Sequence, residues 1–438
     1  MKICFFTNTF LPHVGGVARS VQTFLEDYRR ARHRVLVVAP EFPEGPAPRR
    51  IERSVVRTRA LQQFNGSDFS VSLPLAAEVT DRIEKFRPQI LHTHHPFLLG
   101  DSALRIGASM NLPVIFTHHT LYEQYTHYVP FDSEPMKDFV VDLTTRFANC
   151  CSAVFAPSES VAKLLAERGV EKPVHVIPTG IDTRRLATGR REIARKRFGI
   201  PEQAVVVGHV GRLAAEKNLG FLTHVLARSA TAAKRLHVLV VGDGPERASM
   251  QAELEAAGLG ERIHFAGTLS GRPLIDAYAA MDVFAFASHS ETQGMVLAEA
   301  MSAGLPVVAL DASGVRDTMT DALEGRLLPS RADEEAFTSA LLSLVRAKRV
   351  RLRHSEAARR RAADFDRRVT AERAIAVYKQ VREEHLRRHP EARDPDRSFA
   401  SMFLDRLGIE GRLAAAKVGA AVRAVTESTK ANFSAASS

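Results

Sequence analysis

Two glutamates separated by seven residues are the most informative chemical groups in this sequence. Glu291 and Glu299 lie in the run Ser-Glu-Thr-Gln-Gly-Met-Val-Leu-Ala-Glu. Gly294 and the apolar residues after it predict a helix that ends at the helix-breaking Gly304-Leu-Pro306. The helix start, at Gly294, Met295 and Val296, would offer unpaired N–H groups to a diphosphate. A carboxylate on each side could then bind hydroxyl groups, although two glutamates at this spacing are also common on solvated helix faces.

Two other segments carry groups suited to a phosphate-containing ligand. Residues 205–218 read as a buried strand, a glycine turn and a helix, with Arg212 and Lys217 on the turn. Ligands of open α/β sheets bind at that end of a strand, where two cations could neutralise a departing nucleoside diphosphate. Near the start, a strand at Lys2–Thr7 leads to a loop that ends in Gly15 and Gly16. Glycine lets a backbone approach a phosphate or sugar closely, although each segment alone also fits an ordinary turn.

A run rich in histidine and tyrosine follows a predicted strand in the first half of the chain. Three histidines and three tyrosines fall within the fourteen residues 117–130. Neutral imidazole and phenol groups can hydrogen-bond sugar hydroxyls, whereas the histidine spacing matches no familiar metal site. A surface loop packed by its own aromatic side chains remains an alternative. The residues are His118, His119, Tyr122, Tyr125, His127 and Tyr128.

Together these motifs resemble the family 4 glycosyltransferases. The pattern consists of Gly-Gly near the amino terminus, Gly-Arg-Leu-x-x-Glu-Lys-Asn in mid-chain, Glu-x7-Glu, and Glu324-Gly-Arg-Leu-Leu-Pro329. The resemblance covers about residues 1–385. It implies an enzyme of the GT-B fold that transfers a sugar from a nucleotide donor and retains the anomeric configuration.

Within that family, the chain is most similar to the bacterial diacylglycerol glucosyltransferases. The similarity lies in His119-Thr-Leu-Tyr-Glu-Gln-Tyr-Thr-His-Tyr128, in His92-Thr-His-His-Pro-Phe-Leu-Leu-Gly100, and in the Ser-Glu-Thr-Gln-Gly variant around Glu291. It implies a UDP-sugar donor, with UDP-glucose favoured, and a diacylglycerol acceptor. Another sugar remains open, as does another acceptor such as phosphatidylinositol, a lipid-linked saccharide or a soluble saccharide.

The resemblance also implies a role for each candidate residue. Glu299 would accept hydrogen bonds from the ribose, Arg212 and Lys217 would hold the diphosphate, and Glu291 would hold a sugar hydroxyl. Gly16 would let its loop close on the phosphates. Retention is expected without a covalent intermediate, a bound metal or a cofactor. His118 is assigned to the donor sugar, with His119 one register step away, and the acceptor is assigned to His119, Tyr122, Tyr125 and His127.

Alternating strands and helices predict two α/β domains, because a chain of 438 residues is too long for one core. We expect two Rossmann-like, doubly wound domains with a cleft between them and a C-terminal helix that crosses back to the first. The expected boundaries are 1–182 for the acceptor domain, 183–370 for the donor domain, 371–386 for the crossing helix and 387–438 for a basic tail. Strands are predicted at Lys2–Thr7, Arg34–Ala39, Gln89–His92, Val114–Thr117, Ala153–Ala156, Val174–Ile177, Val205–Val210, His237–Val241, Ile263–Phe265, Val283–Phe286 and Val307–Leu310, and the last helix at Ala371–Glu384.

Composition predicts a cytoplasmic protein, and the resemblance to diacylglycerol glucosyltransferases implies that it associates with the inner face of the cytoplasmic membrane. The three cysteines cannot build a disulfide framework, which favours a reducing compartment. No run of eighteen apolar residues occurs and the first strand begins at residue 2, so we expect neither a membrane span nor a signal peptide.

The net positive charge lies entirely in the last hundred residues. Residues 1–340 hold 38 basic and 38 acidic side chains, whereas residues 341–438 hold 22 and 12. The few aromatic residues there disfavour nucleic acid. An amphipathic tail helix could instead lie on an anionic leaflet, although Gly408 and Gly411 weaken any continuous helix there and Thr426–Ser438 should be disordered. A basic helix packed on the protein is the alternative. The apolar tail positions are Phe399, Met402, Phe403, Leu407, Leu413, Val418 and Val422, with Arg406, Arg412, Lys417 and Arg423 interspersed.

Two other classes of protein remain as alternatives. A sugar-nucleotide epimerase or a phosphorylase could share the two-domain build, but the sequence shows no signal for a pyridoxal-binding lysine. A non-catalytic protein that binds lipid surfaces would have no need of Glu291, Arg212, Lys217 and Glu299 together.

Overall fold

The computed structural model describes residues 1–13, 15–42, 45, 48–61, 71–72, 75–128, 133–289, 291–393, 405 and 407–423. The chain forms two compact units, one of Met1–Pro178 with Ala371–Ser438 and one of Thr179–Thr370. The side chains of Tyr125 and His127 lie outside the described residues, as do Asp394–Asp396, Phe399, Met402, Phe403, Arg406 and Thr426–Ser438.

The first unit is built on a seven-stranded parallel sheet with the strand order β3-β2-β1-β6-β7-β8-β9. Its strands are β1 (Lys2–Phe6), β2 (Arg34–Pro40), β3 (Val55–Thr58), β6 (Ile90–Thr93), β7 (Val114–Thr117), β8 (Ala153–Ala156) and β9 (Val174–Val176), and β4 (Ala60–Leu61) pairs with β5 (Val71–Ser72) in a separate ribbon. Its helices are α1 (Gly16–Arg30), α2 (Arg49–Glu52), α3 (Ala77–Phe86), α4 (Leu99–Met110), α5 (Glu134–Cys150) and α6 (Glu159–Glu167).

The second unit is built on a six-stranded parallel sheet with the order β12-β11-β10-β13-β14-β15. The strands are β10 (Val205–Val210), β11 (Leu236–Val241), β12 (Ile263–Phe265), β13 (Val283–Phe286), β14 (Val307–Leu310) and β15 (Gly325–Leu328). The helices are α7 (Thr183–Leu186), α8 (Arg191–Phe198), α9 (Leu219–Ala232), α10 (Arg247–Ala256), α11 (Gly271–Ala280), α12 (Met295–Ser302), α13 (Ser313–Thr318), α14 (Glu334–Arg346) and α15 (Lys348–Ala362), followed by α16 (Arg367–Arg388).

Each sheet is covered on both faces, which explains the continuous apolar runs of its central strands. Side chains of β1 alternate between two separate cores of the first unit, with Cys4 in one and Phe5 in the other. Side chains of β10 divide in the same way, with Val206 in one core of the second unit and Val207 in the other. A parallel strand buried on both faces has no solvent-facing positions, so its sequence lacks polar alternation.

The last long helix joins the first unit, as the fold class expected. Helix α16 begins at Arg367, and its residues from Ala371 onward belong to the first unit. Ala374 and Tyr378 are fully buried there. The ring of Tyr378 packs edge-on against Tyr28 of α1 at a centroid distance of 5.5 Å. The first unit therefore takes part of its core from the C-terminal end of the chain.

All eleven predicted strands form, with ends shifted by one residue at most, whereas four described strands were not predicted: β4 and β5 of the ribbon, and the edge strands β3 and β15 of the two sheets. The missed strands β3 and β15 each pair with a single neighbour. Both are four residues long, and each contains an arginine that interrupts its apolar pattern, Arg57 in β3 and Arg326 in β15. Such short edge strands owe their structure to a neighbour that sequence periodicity does not reveal.

A helix spans residues 407–423 and packs on the first unit. Gly408 and Gly411 were expected to weaken a continuous helix, but the helix continues through both residues. Leu413 was grouped with lipid-facing residues, but it is buried in the first unit's core together with Ile409. Its burial supports the alternative of a basic helix packed on the protein for one face of this segment.

None of the helices in the described ranges is both long enough and apolar enough to cross a bilayer.

Candidate active site

The second unit gathers most of the predicted donor-binding residues at the start of α12. Gly294 precedes the helix with a left-handed backbone (φ 76°), a conformation that favours glycine. A side chain there would also meet Thr318 Oγ1 at 2.8 Å. Met295 and Val296 are the first two helical residues, and both are half-buried. Their N–H groups belong to the first helical turn and have no partner within the helix.

Glu291 and Lys217 form a half-buried ion pair beside this helix start. Lys217 Nζ donates to Glu291 Oε2 at 3.3 Å, and the two side chains are 18% and 17% exposed. The other carboxylate oxygen accepts a hydrogen bond from the Gly294 N–H at 3.2 Å. The sequence placed these residues 74 positions apart on separate motifs, and the structure brings them together. Arg212 is an exposed residue of the turn that also carries Lys217.

Glu299 lies within α12 and is only 1% exposed. Its Oε2 atom accepts a hydrogen bond from the hydroxyl of Tyr278 at 2.8 Å. Tyr278 is fully buried on α11 and was not predicted, since no local pattern links two residues 21 positions apart on different helices. The contact fixes one oxygen of the carboxylate and so orients the other.

His209 lies within the segment 205–218 that the sequence analysis singled out, but it was assigned no role there. It is 1% exposed on β10, and its Nδ1 atom lies 3.2 Å from the Ala285 carbonyl oxygen. Its Nε2 atom has no hydrogen-bond partner among the described residues. Burial lowers the pKa of His209 to about 4, an effect that the Ala285 carbonyl opposes and the nearby Lys217 cation reinforces. The ring is therefore neutral at neutral pH and has one unused nitrogen.

The first unit contains a buried histidine cluster at the carboxyl ends of β6 and β7. The rings of His92 and His94 stack at 4.2 Å, and those of His94 and His119 stack at 5.1 Å. His94 Nδ1 lies 2.9 Å from His119 Nε2. Burial lowers the pKa of His119 to about 3 and that of His94 well below its usual value. The cluster therefore presents uncharged imidazoles, the state suited to hydrogen-bonding hydroxyl groups.

His118 is 1% exposed, and neither of its ring nitrogens hydrogen-bonds to any described residue. Burial lowers the pKa of His118 to about 3, with Arg168 and His119 adding to the effect. The ring makes edge contacts with Phe116 and with Tyr122, at centroid distances of 5.8 and 6.0 Å. A buried polar group without a partner costs about 1–3 kcal/mol, so such a group is a candidate for bonding to a ligand.

Helix α16 contacts this histidine cluster through the side chain of Tyr378. The Tyr378 hydroxyl bonds to His92 Nδ1, and His92 Nε2 lies 2.6 Å from Thr117 Oγ1. Thr117 directly precedes His118, so the hydrogen bonds connect α16 to the predicted acceptor loop. His92 and His94 stand in a run that the sequence singled out, whereas nothing in the sequence indicated Tyr378. Gly16, the remaining predicted residue, is exposed as the first residue of α1.

Comparison with known proteins identifies the family. Residues 14–185 match the model described as Glycosyltransferase Family 4, and residues 190–361 match the model described as Glycosyl transferases group 1. A GDP-mannose-dependent alpha-mannosyltransferase of Mycobacterium tuberculosis is 30% identical over 87% of this chain and 97% of its own length.

The chain belongs to glycosyltransferase family 4. An alpha-monoglucosyldiacylglycerol synthase of Streptococcus pneumoniae is 27% identical over 75% of either chain. Among solved structures, HepE of Anabaena in complex with UDP superposes with a TM-score of 0.68 at 22% identity, over 87% of this chain and all of its own. Sucrose-phosphate synthase of Thermosynechococcus elongatus superposes with a TM-score of 0.71 at 20% identity, covering 87% and 99% of the two chains. These structures show the GT-B fold, and the glycosyltransferase assignment rests on the family match.

Proposed function

We propose that this glycosyltransferase moves a hexose, with glucose favoured, from a UDP-sugar to diacylglycerol and retains the anomeric configuration. The observation that carries the donor half is the cluster at the start of α12. There a cation, Lys217, and a carboxylate, Glu291, meet beside the N–H groups of Met295 and Val296, which have no partner within α12. This arrangement suits a ligand that carries an anion and a hydroxyl-bearing ring side by side.

Each donor-site residue has a chemical task in this proposal. Glu299 accepts hydrogen bonds from the ribose hydroxyls, with its carboxylate oriented by the Tyr278 hydroxyl, and Arg212 and Lys217 hold the diphosphate. Glu291 accepts a hydrogen bond from the sugar that is transferred. The loop before Gly16 closes on the phosphates and excludes water, which would otherwise hydrolyse the donor.

Bond breaking places negative charge on the leaving diphosphate and makes the sugar oxocarbenium-like. The cations and the amino end of α12 stabilise that charge, and one preorganised contact of this kind typically contributes about 2–4 kcal/mol. The acceptor hydroxyl attacks from the face that the diphosphate leaves, so the configuration is retained. A diphosphate oxygen takes the acceptor's proton, and the products are a glycoside and a nucleoside diphosphate.

The acceptor half rests on the neutral histidines of the first unit. His118 has two unused ring nitrogens and is proposed to contact the donor sugar. His119 and Tyr122, with Tyr125 and His127 of the same run, are proposed to line the path of the acceptor. The proposal draws support from relatives in Streptococcus pneumoniae and Acholeplasma laidlawii named alpha-monoglucosyldiacylglycerol synthase, and from the neighbour that binds UDP.

A second donor has specific support. Relatives in Mycobacterium tuberculosis, Mycolicibacterium smegmatis and Corynebacterium glutamicum are named GDP-mannose-dependent alpha-mannosyltransferases. GDP-mannose is therefore the alternative donor. The diphosphate and the ribose are common to both nucleotides, so the residues assigned above would serve either one.

We also propose that the enzyme works in the cytoplasm on the inner face of the membrane. The outward face of helix 407–423 carries exposed apolar side chains opposite the buried ones, at Leu407, Val418 and Val422. Together with the basic residues of this region, they suit an anionic lipid surface, where each cation adds about 1 kcal/mol of attraction.

The test is a donor panel of UDP-glucose, UDP-galactose, UDP-glucuronic acid and GDP-mannose, each incubated with the purified full chain and diacylglycerol vesicles. Mass spectrometry of the organic phase follows the product. We expect a gain of one hexose with UDP-glucose, lost in Glu291→Gln and kept in Glu261→Gln, an exposed glutamate of the same unit. Product from GDP-mannose alone would replace the UDP assignment, and absence of any lipid product would overturn the acceptor assignment.

A further inference from the structure

Gln293 connects the proposed donor loop, residues 291–294 before α12, to Thr179, where the chain enters the second unit. It lies between Glu291 and Gly294 and is only 5% exposed. Its side-chain amide makes two hydrogen bonds with the backbone of one residue. Thr179 N–H donates to Gln293 Oε1 at 2.7 Å, and Gln293 Nε2 donates to the Thr179 carbonyl at 2.8 Å.

Thr179 is the first residue of the second unit. The next residue, Gly180, lies so close to α16 that an added side chain would stand 2.3 Å from the Cα atom of Arg367. Ile181 bonds through its N–H to the Phe365 carbonyl and through its own carbonyl to the Arg367 N–H, each at 2.9 Å. The first and the last residues of the second unit, where the chain enters and leaves it, are therefore hydrogen-bonded to each other.

The donor loop is also held by contacts that do not involve the side chain of Gln293. Its main chain is held by Thr318, whose hydroxyl donates to the Gln293 carbonyl at 2.6 Å, and by the Gly314 N–H, which donates to the Glu291 carbonyl at 3.0 Å. A side chain at Gly314 would stand 2.3 Å from the Gln293 nitrogen. The amide of Gln293 is thus a direct hydrogen-bonded link between this loop and Thr179. We therefore expect a displacement of the loop to act on Thr179 through that amide.

We propose that Gln293 is a positioning residue that couples occupancy of the donor loop to the conformation of the segments where the chain enters and leaves the second unit. The inference rests on the proposed donor site and adds a path by which donor binding acts on residues 179–183 and 366–370. A Gln amide suits this task, since it satisfies the N–H and the carbonyl of one residue at once. Neither a carboxylate nor an apolar side chain of similar size can do both.

Three variants of the full chain separate coupling from simple structural support. Gln293→Leu removes both bonds to Thr179. Gln293→Glu keeps the shape and the bond from the Thr179 N–H but loses the donor to the carbonyl. Thr318→Val is the matched control, because it loosens the same loop without touching the bonds to Thr179. Thermal unfolding shows whether each variant is folded.

The readout is hydrogen exchange of the backbone amides with and without saturating UDP or GDP. In the wild type, we expect nucleotide to slow exchange both in residues 291–299 and in residues 179–183. In Gln293→Leu and Gln293→Glu, protection of 291–299 should remain and protection of 179–183 should be lost, whereas Thr318→Val should keep both.

Two outcomes would overturn the inference. If nucleotide slows exchange of residues 179–183 in both Gln293 variants as much as in the wild type, the amide carries no coupling, although the proposed donor site would be supported. Absence of nucleotide protection at 291–299 in the wild type would remove the donor site itself, and the coupling with it. With an active donor and acceptor, the Gln293 variants should lower kcat about tenfold or more while the donor Kd changes much less.

Discussion

At the scale of single residues, Glu291 is held by two contacts that fix its carboxylate, one from Lys217 and one from the Gly294 N–H. Glu291→Gln keeps the shape of the side chain and removes the charge that pairs with Lys217. We expect kcat to fall by about a hundredfold or more, because a preorganised contact to the transition state is lost. Steady-state kinetics with the active donor measure the effect, and an unchanged kcat would remove Glu291 from the reacting centre.

Lys217 and Arg212 are the cations that the proposed reaction requires, so no metal ion is assigned a role. Transfer should therefore continue at the same rate after dialysis against EDTA. Lys217→Met should lower kcat/KM strongly under the same conditions. Loss of activity in EDTA that magnesium or manganese restores would contradict this assignment.

The buried histidines predict a pH dependence of stability. The pKa of His118 and that of His119 are lowered from 6.5 to about 3, so between these values the unfolded chain binds more protons than the folded one. The free energy of unfolding should therefore fall as the pH drops below about 6.5, by up to about 1.4 kcal/mol per pH unit for each histidine. Denaturant unfolding between pH 7.5 and 5 tests this, and His118→Gln should flatten the slope.

Local sequence singled out side chains that meet at the start of α12, but it did not indicate how they are held. The glycine at position 294 and the apolar run after it were enough to place a helix start between Glu291 and Glu299. The partners of these side chains come from elsewhere in the chain, Tyr278 for Glu299 and Thr179 for Gln293. Such contacts depend on tertiary packing between segments that are far apart in the chain, which local sequence patterns do not reveal.

At the scale of elements, helix 407–423 has two unlike faces. Leu413 is 3% exposed against the first unit, whereas Val418 is 62% exposed on the opposite side. Leu413→Ala should lower the free energy of unfolding by about 2–5 kcal/mol, since it opens a cavity in a core. Val418→Ala should change it by less than about 0.5 kcal/mol. Equal effects of the two variants in denaturant unfolding would contradict the packing of this helix.

The same helix shows where residue-level rules fail. Glycine in a helix interior costs about 1 kcal/mol relative to alanine, so Gly408 and Gly411 were expected to weaken a continuous helix. Burial of Ile409 and Leu413 offsets that cost, and Arg105 and Asp101 of α4 pair with Glu410 and Lys417 at 2.6 Å. Propensity is a weak signal wherever a tertiary surface can receive the segment.

At the scale of the whole molecule, the net charge is less concentrated in the tail than its position in the sequence suggests. Helix α15 of the second unit holds seven basic residues and one glutamate, whereas residues 387–438 hold nine basic and six acidic residues. Lys348, Arg349, Arg353 and Arg360 are exposed and pair with no side chain in the described ranges. Counted over the two units, the net charge is +5 in residues 179–370 and +5 in the rest of the chain.

This distribution predicts which substitutions weaken membrane binding. Deleting residues 387–438 removes a net charge of three, the same as replacing Lys348, Arg349 and Arg353 by glutamine, and it also removes the exposed apolar side chains of helix 407–423. Deletion should therefore weaken binding to anionic vesicles more than the triple variant does. Sedimentation with anionic and with neutral vesicles at two salt concentrations measures both effects. Loss of binding in the triple variant, with no effect of the deletion, would contradict the membrane role of helix 407–423 and move the contact to α15.

The origin of the first unit's core has a consequence for how the protein is made. Met1–Pro178 leaves the ribosome well before Tyr378 and its neighbours on α16 have been translated. Until then, the apolar surface around Tyr28 and Phe155 that Tyr378 covers stays exposed. The second unit, by contrast, is one continuous stretch, Thr179–Thr370, that can fold as it emerges. The nascent amino-terminal half is therefore the stage at which chaperones have most to protect.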